Sequence, residues 1–381
     1  MDFATLALIA LIGLLGPLLA VPSRWHLPVV LGEMIAGLLL GSTGAGVLHP
    51  HDSTFTFLAD VGFALVMFVA GSHVPVRDPN LRVGLRLGAL RAVAVGAVAT
   101  ALAVAVAAAF HTGHAPLYAV LMASSSAALV LPIVDSLRLG GPSVLHLLPQ
   151  IAIADTVCIV ALPLAIDPKH AGRAALGSLA VIGCAAVLYV VLHYLESSGA
   201  RRRAHRLSEN RKFALELRVN LTILFALAAL AVRTHVSIML AGFSFGLVVA
   251  AVGEPRRLAR QLFAVTEGLF APLFFVWLGA SLDLRDLGGH PSYIALGVVL
   301  GVAAVVAHAL MRLTGQPLPL AVMAAAQLGV PVAAATVGTQ LHLLKPGEPS
   351  ALILGALITV GVSVAAGSLA ARAGLVAEAR K

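Results

Sequence analysis

The sequence predicts an all-α, polytopic membrane protein made of two inverted six-helix repeats. Three observations lead there. Apolar residues fill 60% of the 381 positions and charged residues 11%, with a mean hydropathy of +0.99. A single soluble core does not bury that much apolar surface. Runs of about 20 apolar residues, the length that crosses a bilayer as a helix, recur from end to end. Finally, similar segments lie seven helices apart, so the two members of a pair enter the membrane from opposite sides. No stretch is long and polar enough to form a separate soluble domain.

The apolar runs place about thirteen helices. They cover 3–21, 27–43, 57–74, 88–110, 115–136, 146–166, 173–195, 214–232, 235–252, 263–282, 292–314, 318–342 and 350–373. The first has only Asp2 before it, with no basic segment and no cleavage site, and reads as a retained helix rather than a signal peptide. The second carries Gly37 and Gly41, a GxxxG that permits close helix approach. Cys158 and Cys184 both fall inside helices, which argues against a disulfide framework, and neither has zinc-ligand spacing. The longest polar connection, ESSGARRRAHRLSENRK at 196–212, follows the seventh helix. It divides the chain into six helices, one linking helix and six more.

Charge sets the orientation. Counted by the side of the membrane they fall on, twenty Lys and Arg residues lie on one side and five on the other. The richer side, with Arg201, Arg202, Arg203, Arg206, Arg211 and Lys212, is read as cytoplasmic. The N-terminus is then outside and the C-terminus inside. The formal net charge of +8 belongs to these short loops and is not read as nucleic-acid binding.

The repeats pair the second helix, LPVVLGEMIAGLLLGS, with the ninth, HVSIMLAGFSFGLVVA. The third, DVGFALVMFVAGSHV, pairs with the tenth, LFAPLFFVWLGASLDL. The same symmetry pairs the fifth and twelfth, and both look broken. The fifth reads LMASSSAALVLPIVDS, with Ser124, Ser125, Ser126 and Pro132. The twelfth reads AAQLGVPVAAATVGTQ, with Gln327, Gly329, Pro331 and Thr336. Proline removes a donor and clashes with the preceding turn. Freed carbonyls and hydroxyls at mid-membrane can line an ion site. The alternative is a proline kink relieved by Ser and Thr.

The sixth helix, HLLPQIAIADTVCIVALPL, carries Asp155 at its centre. A charge there costs several kcal/mol, and such groups usually serve an ion, a proton or a counter-charge. Asp155 is the candidate proton- and cation-binding group, with Ser125, Ser126 and Thr156 beside it as candidate ligands. Its metal would be a transient Na+ or K+, and no cofactor is implied. His308, on the eleventh helix, is the candidate counter-charge, and Arg312, at i+4, is the alternative basic residue. Glu33 and Asp60 are further acids near helix ends. GFSFG at 242–246 matches the G-x-S-x-G of serine hydrolases, but that motif needs a strand-to-helix turn. Small-residue packing is the better account of Ser244 and its glycines.

With these residues in place the chain resembles the monovalent cation:proton antiporters, specifically the second cation:proton antiporter family of bacterial Na+/H+ and K+/H+ exchangers. The resemblance covers essentially the whole chain. It rests on LPVVLGEMIAGLLLGSTGAG, GFALVMFVAGSHV, ASSSAALV, IADTVCIVALP and GLFAPLFFVWLGASLDL. It implies the sodium/proton antiporter fold with crossed broken helices, and a bacterial inner (plasma) membrane location. It also implies a homodimer in the lipid bilayer and elevator-like alternating access. Scaffold helices would lie in 1–80 and 214–285, moving core helices in 82–166 and 290–375, and the linking helix and loop in 173–212. The function implied is exchange of Na+ or K+ for H+ through Asp155. A channel or symporter on the same fold is the alternative. The chain departs from the family where Ala154 precedes the aspartate, where His308 or Arg312 stands for the basic residue, and where Gln327-Leu328-Gly329 replaces Arg-Gly-Glu. No nucleotide-binding domain of the potassium-efflux type is expected after Lys381.

The charge asymmetry makes a direct prediction. In whole cells, an impermeant thiol reagent should label a cysteine placed at position 345 and leave one at 202 unreacted. The opposite order would invert the topology.

Overall fold

The computed structural model describes residues 1–21, 29–72, 74, 76, 79–198, 215–234, 236–253, 256–282 and 291–376. Positions 199–212 of the basic loop, with Arg24, Arg77 and Arg285, lie outside them. Among the described residues the regular structure is helical, apart from one isolated bridge between Leu139 and Val376.

The first half runs α1 (Phe3–Gly13), α2 (Leu15–Ala20), α3 (Val29–Leu40), α4 (Ser53–Ser72), α5 (Pro79–Phe110), α6 (Ala115–Ala123), α7 (Ala127–Ser136) and α8 (Pro142–Ile166). A long helix, α9 (Ala171–Ser197), follows. The second half runs α10 (Leu215–Arg233), α11 (Ile238–Val252), α12 (Arg256–Val265), α13 (Ala271–Ser281), α14 (Pro291–Ala309), α15 (Leu318–Met323), α16 (Gly329–Gln340) and α17 (Glu348–Arg372). A π turn, Thr266–Phe270, joins α12 to α13. A 3-10 turn, Leu310–Thr314, extends α14.

Nine helical stretches among the described residues are long and apolar enough to cross a membrane. Two shorter apolar helices, α3 and α11, accompany them. The remaining apolar sequence forms two pairs of half-helices, α6 with α7 and α15 with α16. The helix positions match the apolar runs, but some starts differ. The fourth begins at Pro79 instead of 88, and the third at Ser53 instead of 57. Helical hydrogen bonding does not stop where the hydrocarbon does, so apolar length underestimates a helix that continues into the interface.

The packing repeats itself. Helix α3 packs on α13, and α4 on α11; α5 packs on α8, and α14 on α17. The predicted symmetry exchanges the two members of each set: second-with-tenth maps onto ninth-with-third, and fourth-with-sixth onto eleventh-with-thirteenth. Each contact is close because glycine omits a side chain. A Cβ on Gly37 would fall on the Val276 carbonyl oxygen, and one on Gly246 on that of Phe68. The Gly37–Gly41 pair therefore serves a contact within the chain, against α13, and not one between copies. Lipid provides no hydrophobic drive between helices, so this close approach, with its dispersion contacts, is what holds them.

Polar ties also join elements across the repeats, and two of them hold buried ionisable groups. Arg91 of α5 is buried, and it donates from Nε to Thr314 Oγ1 at 2.8 Å and from an Nη to the Thr314 carbonyl at 3.1 Å. A cation is well placed at that helix C-terminus, where carbonyls lack intrahelical partners. At the start of α17, fully buried Glu348 accepts from Tyr118 at 2.8 Å, and His114 Nδ1 lies 2.7 Å from the same oxygen. Sequence reasoning did not single out this cluster, because its members come from segments more than 200 positions apart.

Glycine contacts of this kind are sensitive to one added methyl group. Gly37→Ala is expected to lower the unfolding midpoint in detergent, at a cost of about 1–3 kcal/mol for overpacking. Gly96→Ala, with open space around its Cα, should be neutral or slightly stabilising. Equal midpoints for the two variants would contradict the packing described.

Candidate ion site

The interruption of the fifth segment falls at Ser124–Ser126, between α6 and α7. Serine side chains compete for backbone hydrogen bonds and make poor helix interiors. The interruption of the twelfth falls at 324–328, between α15 and α16. Of the proposed break positions, Gln327 lies in the gap. Pro331 sits in the first turn of α16, where its missing N–H has no intrahelical acceptor to lose. Pro132 lies inside α7, so the serines and not this proline mark the break.

The two gaps meet and satisfy each other. Ser126 N–H donates to the Ala326 carbonyl at 2.7 Å. Ser125 Oγ donates to the Ala324 carbonyl at 2.6 Å. The predicted crossing of broken helices is thus a pair of hydrogen bonds between the breaks, in a region where Ser124, Ser125, Ser126 and Gln327 are all buried. Neither gap exposes its backbone to lipid, which a membrane would not tolerate.

Asp155 stands beside this crossing, on α8. It is 7% exposed. Its Oδ2 accepts the N–H of Ala127, the first residue of α7, at 3.1 Å. The carboxylate therefore caps the N-terminus of a half-helix, where free N–H groups and the helix dipole favour negative charge. Among the described residues no Lys, Arg or His forms an ion pair with it. One charge-assisted bond contributes about 1.5–3 kcal/mol and the helix end up to about 2, against several kcal/mol for burying a bare carboxylate. The site as built favours an occupant with a positive charge, or a proton.

The other candidates are placed as follows. Ser125 and Ser126 belong to the crossing. Thr156 turns its hydroxyl to the Ala152 carbonyl of its own helix at 2.7 Å. His308 is buried on α14, but its Nδ1 meets the Ala304 carbonyl of its own helix at 3.0 Å, and no bond joins it to Asp155. Gln327 is buried with its amide Nε2 unpartnered, at a cavity lined also by Met34, Leu129, Leu278 and Val332. Glu33 is buried on α3.

A family model described as "Sodium/hydrogen exchanger, transmembrane" matches residues 7–370. The chain belongs to the sodium/hydrogen exchanger family. Its relatives include the Na(+)/H(+) antiporter NhaS5 of Synechocystis, 27% identical over 81% of this chain and 44% of that protein. The glutathione-regulated potassium-efflux system protein KefC of Shigella sonnei is 28% identical over 77% of this chain and 47% of that protein. The Na(+)/H(+)-K(+) antiporter GerN of Bacillus cereus is 22% identical over 72% of this chain and 70% of that protein. The chain thus spans a little under half the length of NhaS5 and KefC. The sodium proton antiporter MjNhaP1 of Methanocaldococcus jannaschii shares the fold, with a TM-score of 0.69, 16% identity, and 98% and 97% of the two chains covered. These relatives are transporters by name, not enzymes. Ser244 lies inside α11, with no strand-to-helix turn, and the flanking Gly242 and Gly246 press on the Ala64 and Phe68 carbonyls of α4.

Proposed function

We propose that this exchanger is a secondary antiporter that passes Na+ or K+ one way and H+ the other through Asp155. The observation that carries the reading is a buried carboxylate at the crossing of two interrupted helices, held by one N–H and, among the described residues, in no ion pair with a Lys, Arg or His. The activities named for NhaS5, KefC and GerN support a monovalent cation as the substrate.

One acid does both tasks by taking its occupants in turn. A proton neutralises Asp155, and so does one monovalent cation on the ionised form. Ala154 supplies no adjacent second acid. Neither loaded form carries net charge across the field, so the exchange is electroneutral, one cation for one proton. That His308 bonds within its own helix supports a site charge set by Asp155 alone.

Alternating access follows from how the helices group. The glycine contacts tie α3 to α13 and α4 to α11, forming with α1, α2, α10 and α12 a scaffold over 1–80 and 214–285. The core over 82–166 and 290–375 is tied by α5 with α8, α14 with α17, and the Arg91 and Glu348 links. Between the groups the contacts are softer. The thioethers of Met67 and Met239 face Gly329 at the start of α16. Methionine adapts to changing neighbours, which suits a surface that slides in an elevator-like movement. Helix α9 touches α8 on one side and α10 and α11 on the other, as a link over 173–212 should. The protein acts in this reading as a homodimer in a bacterial inner membrane, crossing it about thirteen times, with its N-terminus outside and its C-terminus in the cytoplasm.

Two outcomes are expected in proteoliposomes. Asp155→Asn should abolish Na+- or K+-driven proton flux while the variant elutes like the unmodified protein; flux at the wild-type rate would remove Asp155 from the mechanism. With Na+ as substrate and the potential set by valinomycin, the rate should not follow the voltage. A net charge per cycle would be driven by about 2.3 kcal/mol per 100 mV, which such an assay resolves, and a voltage-dependent end-point would exclude one-for-one exchange.

A further inference from the structure

We infer that Thr359 is a positioning residue of the ion site, acting on Asp155 through the peptide that joins Ala326 to Gln327. The inference rests on the exchange reading given above.

Thr359 is fully buried in the middle of α17. Its Oγ1 donates to the Ala356 carbonyl at 2.7 Å, which fixes the rotamer, and accepts the N–H of Gln327 at 3.2 Å. The first bond, within one helix, is common for threonine in membrane helices and by itself has no functional meaning. The second reaches into the gap of another segment. The Gln327 N–H belongs to the same peptide group as the Ala326 carbonyl, and that carbonyl accepts Ser126 N–H at 2.7 Å. One residue further on, Ala127 N–H is the donor to Asp155. Thr359 thus holds one end of a peptide plane whose other end holds the backbone that reaches the carboxylate. Aligned donor–acceptor steps polarise one another, so the chain is stronger than its separate bonds.

The repeat gives the same assignment independently. Asp155 sits mid-way along α8 and accepts an N–H where the fifth segment resumes as α7. Thr359 sits mid-way along α17 and accepts an N–H just before the twelfth resumes as α16. These are the sixth and thirteenth segments, seven apart, which the inverted symmetry pairs. Thr359 is the counterpart of Asp155, with a hydroxyl in place of the carboxylate. It keeps the backbone bond and adds no charge. One repeat therefore binds the ion, and the other fixes the geometry of the crossing.

Thr359→Val keeps the shape and removes the acceptor. The Gln327 N–H then has no partner, the peptide can tilt, and the Ser126–Ala127 backbone loses its support. A cation held by Asp155 should bind less well, while the Met67 and Met239 contacts to Gly329 between core and scaffold are untouched. In proteoliposomes at fixed pH, the KM for Na+ or K+ should rise by roughly five- to tenfold, the effect of losing one hydrogen bond at the site. The maximal rate per folded protein should change less than twofold, and Thr359→Ser should return KM to near the wild-type value. If the valine variant does not fold, Thr359→Ala removes the same acceptor and is judged by the same KM. A wild-type KM in the acceptor-less variant would overturn the assignment. So would a fall in maximal rate alone that tracked a lower unfolding midpoint, since that describes a structural residue. Asp155→Asn runs beside them: flux in that variant would refute the exchange reading itself, whereas silence there with an unchanged KM in Thr359→Val refutes only the role of Thr359.

Discussion

A helix that stops in the middle of a bilayer leaves N–H and C=O groups that lipid cannot satisfy. This chain has two such stops, and most of its architecture follows from pairing them. The Ser124–Ser126 gap and the 324–328 gap meet, and Ser126 N–H and Ser125 Oγ fill the acceptors opposite. What the gaps cannot give each other is taken by neighbouring helices. Asp155 takes one N–H on the side of the first repeat, and Thr359 takes one on the side of the second. The need to satisfy backbone groups thus brings four segments to one point, and the carboxylate is at that point.

The glycine contacts and the crossing have opposite mechanical characters. Where α3 meets α13 and α4 meets α11, Gly37 and Gly246 lie directly against carbonyls of the facing helix, with no side chain of their own between. Such contacts fix one geometry. Around Gly329, the neighbours are the flexible thioethers of Met67 and Met239, and the adjoining cavity is lined mostly by aliphatic side chains. Among the described residues, α16 forms no hydrogen bond with α3, α4, α11 or α13. Rigid groups with a compliant seam would suit the alternating access proposed above, in which one buried site faces two sides without exposing backbone to lipid.

The hydrolase motif and the GxxxG show how the same residues read differently in context. Gly242 and Gly246 flank Ser244, and Gly37 and Gly41 form a dimerisation pattern, but all four glycines face helices of their own chain. Their spacing of four records that two helices pass closely. It does not say which two.

The sequence by itself determined the class of the protein, the positions of its helices, the two interruptions and the acid at depth. Each depends on local quantities: apolar length, the chemistry of Ser and Pro, and the cost of a charge in hydrocarbon. Its symmetry also paired the right segments. The tertiary structure decided which groups meet. The break lies at the serines and not at Pro132, because hydroxyl competition and the facing carbonyls of the other gap decide it together. His308 faces its own helix and not Asp155, a matter of helix rotation that a lone apolar segment leaves open. Thr359 escaped notice because one threonine among apolar residues has no pattern of its own. It is distinguished only by the N–H it accepts, from a residue 32 positions away on another segment. Glu348, Tyr118 and His114 were hidden for the same reason, since their bonds join positions more than 200 apart. Periodicity and composition act along the chain, whereas a hydrogen bond between segments depends on how helices rotate and slide against each other, and only packing sets that.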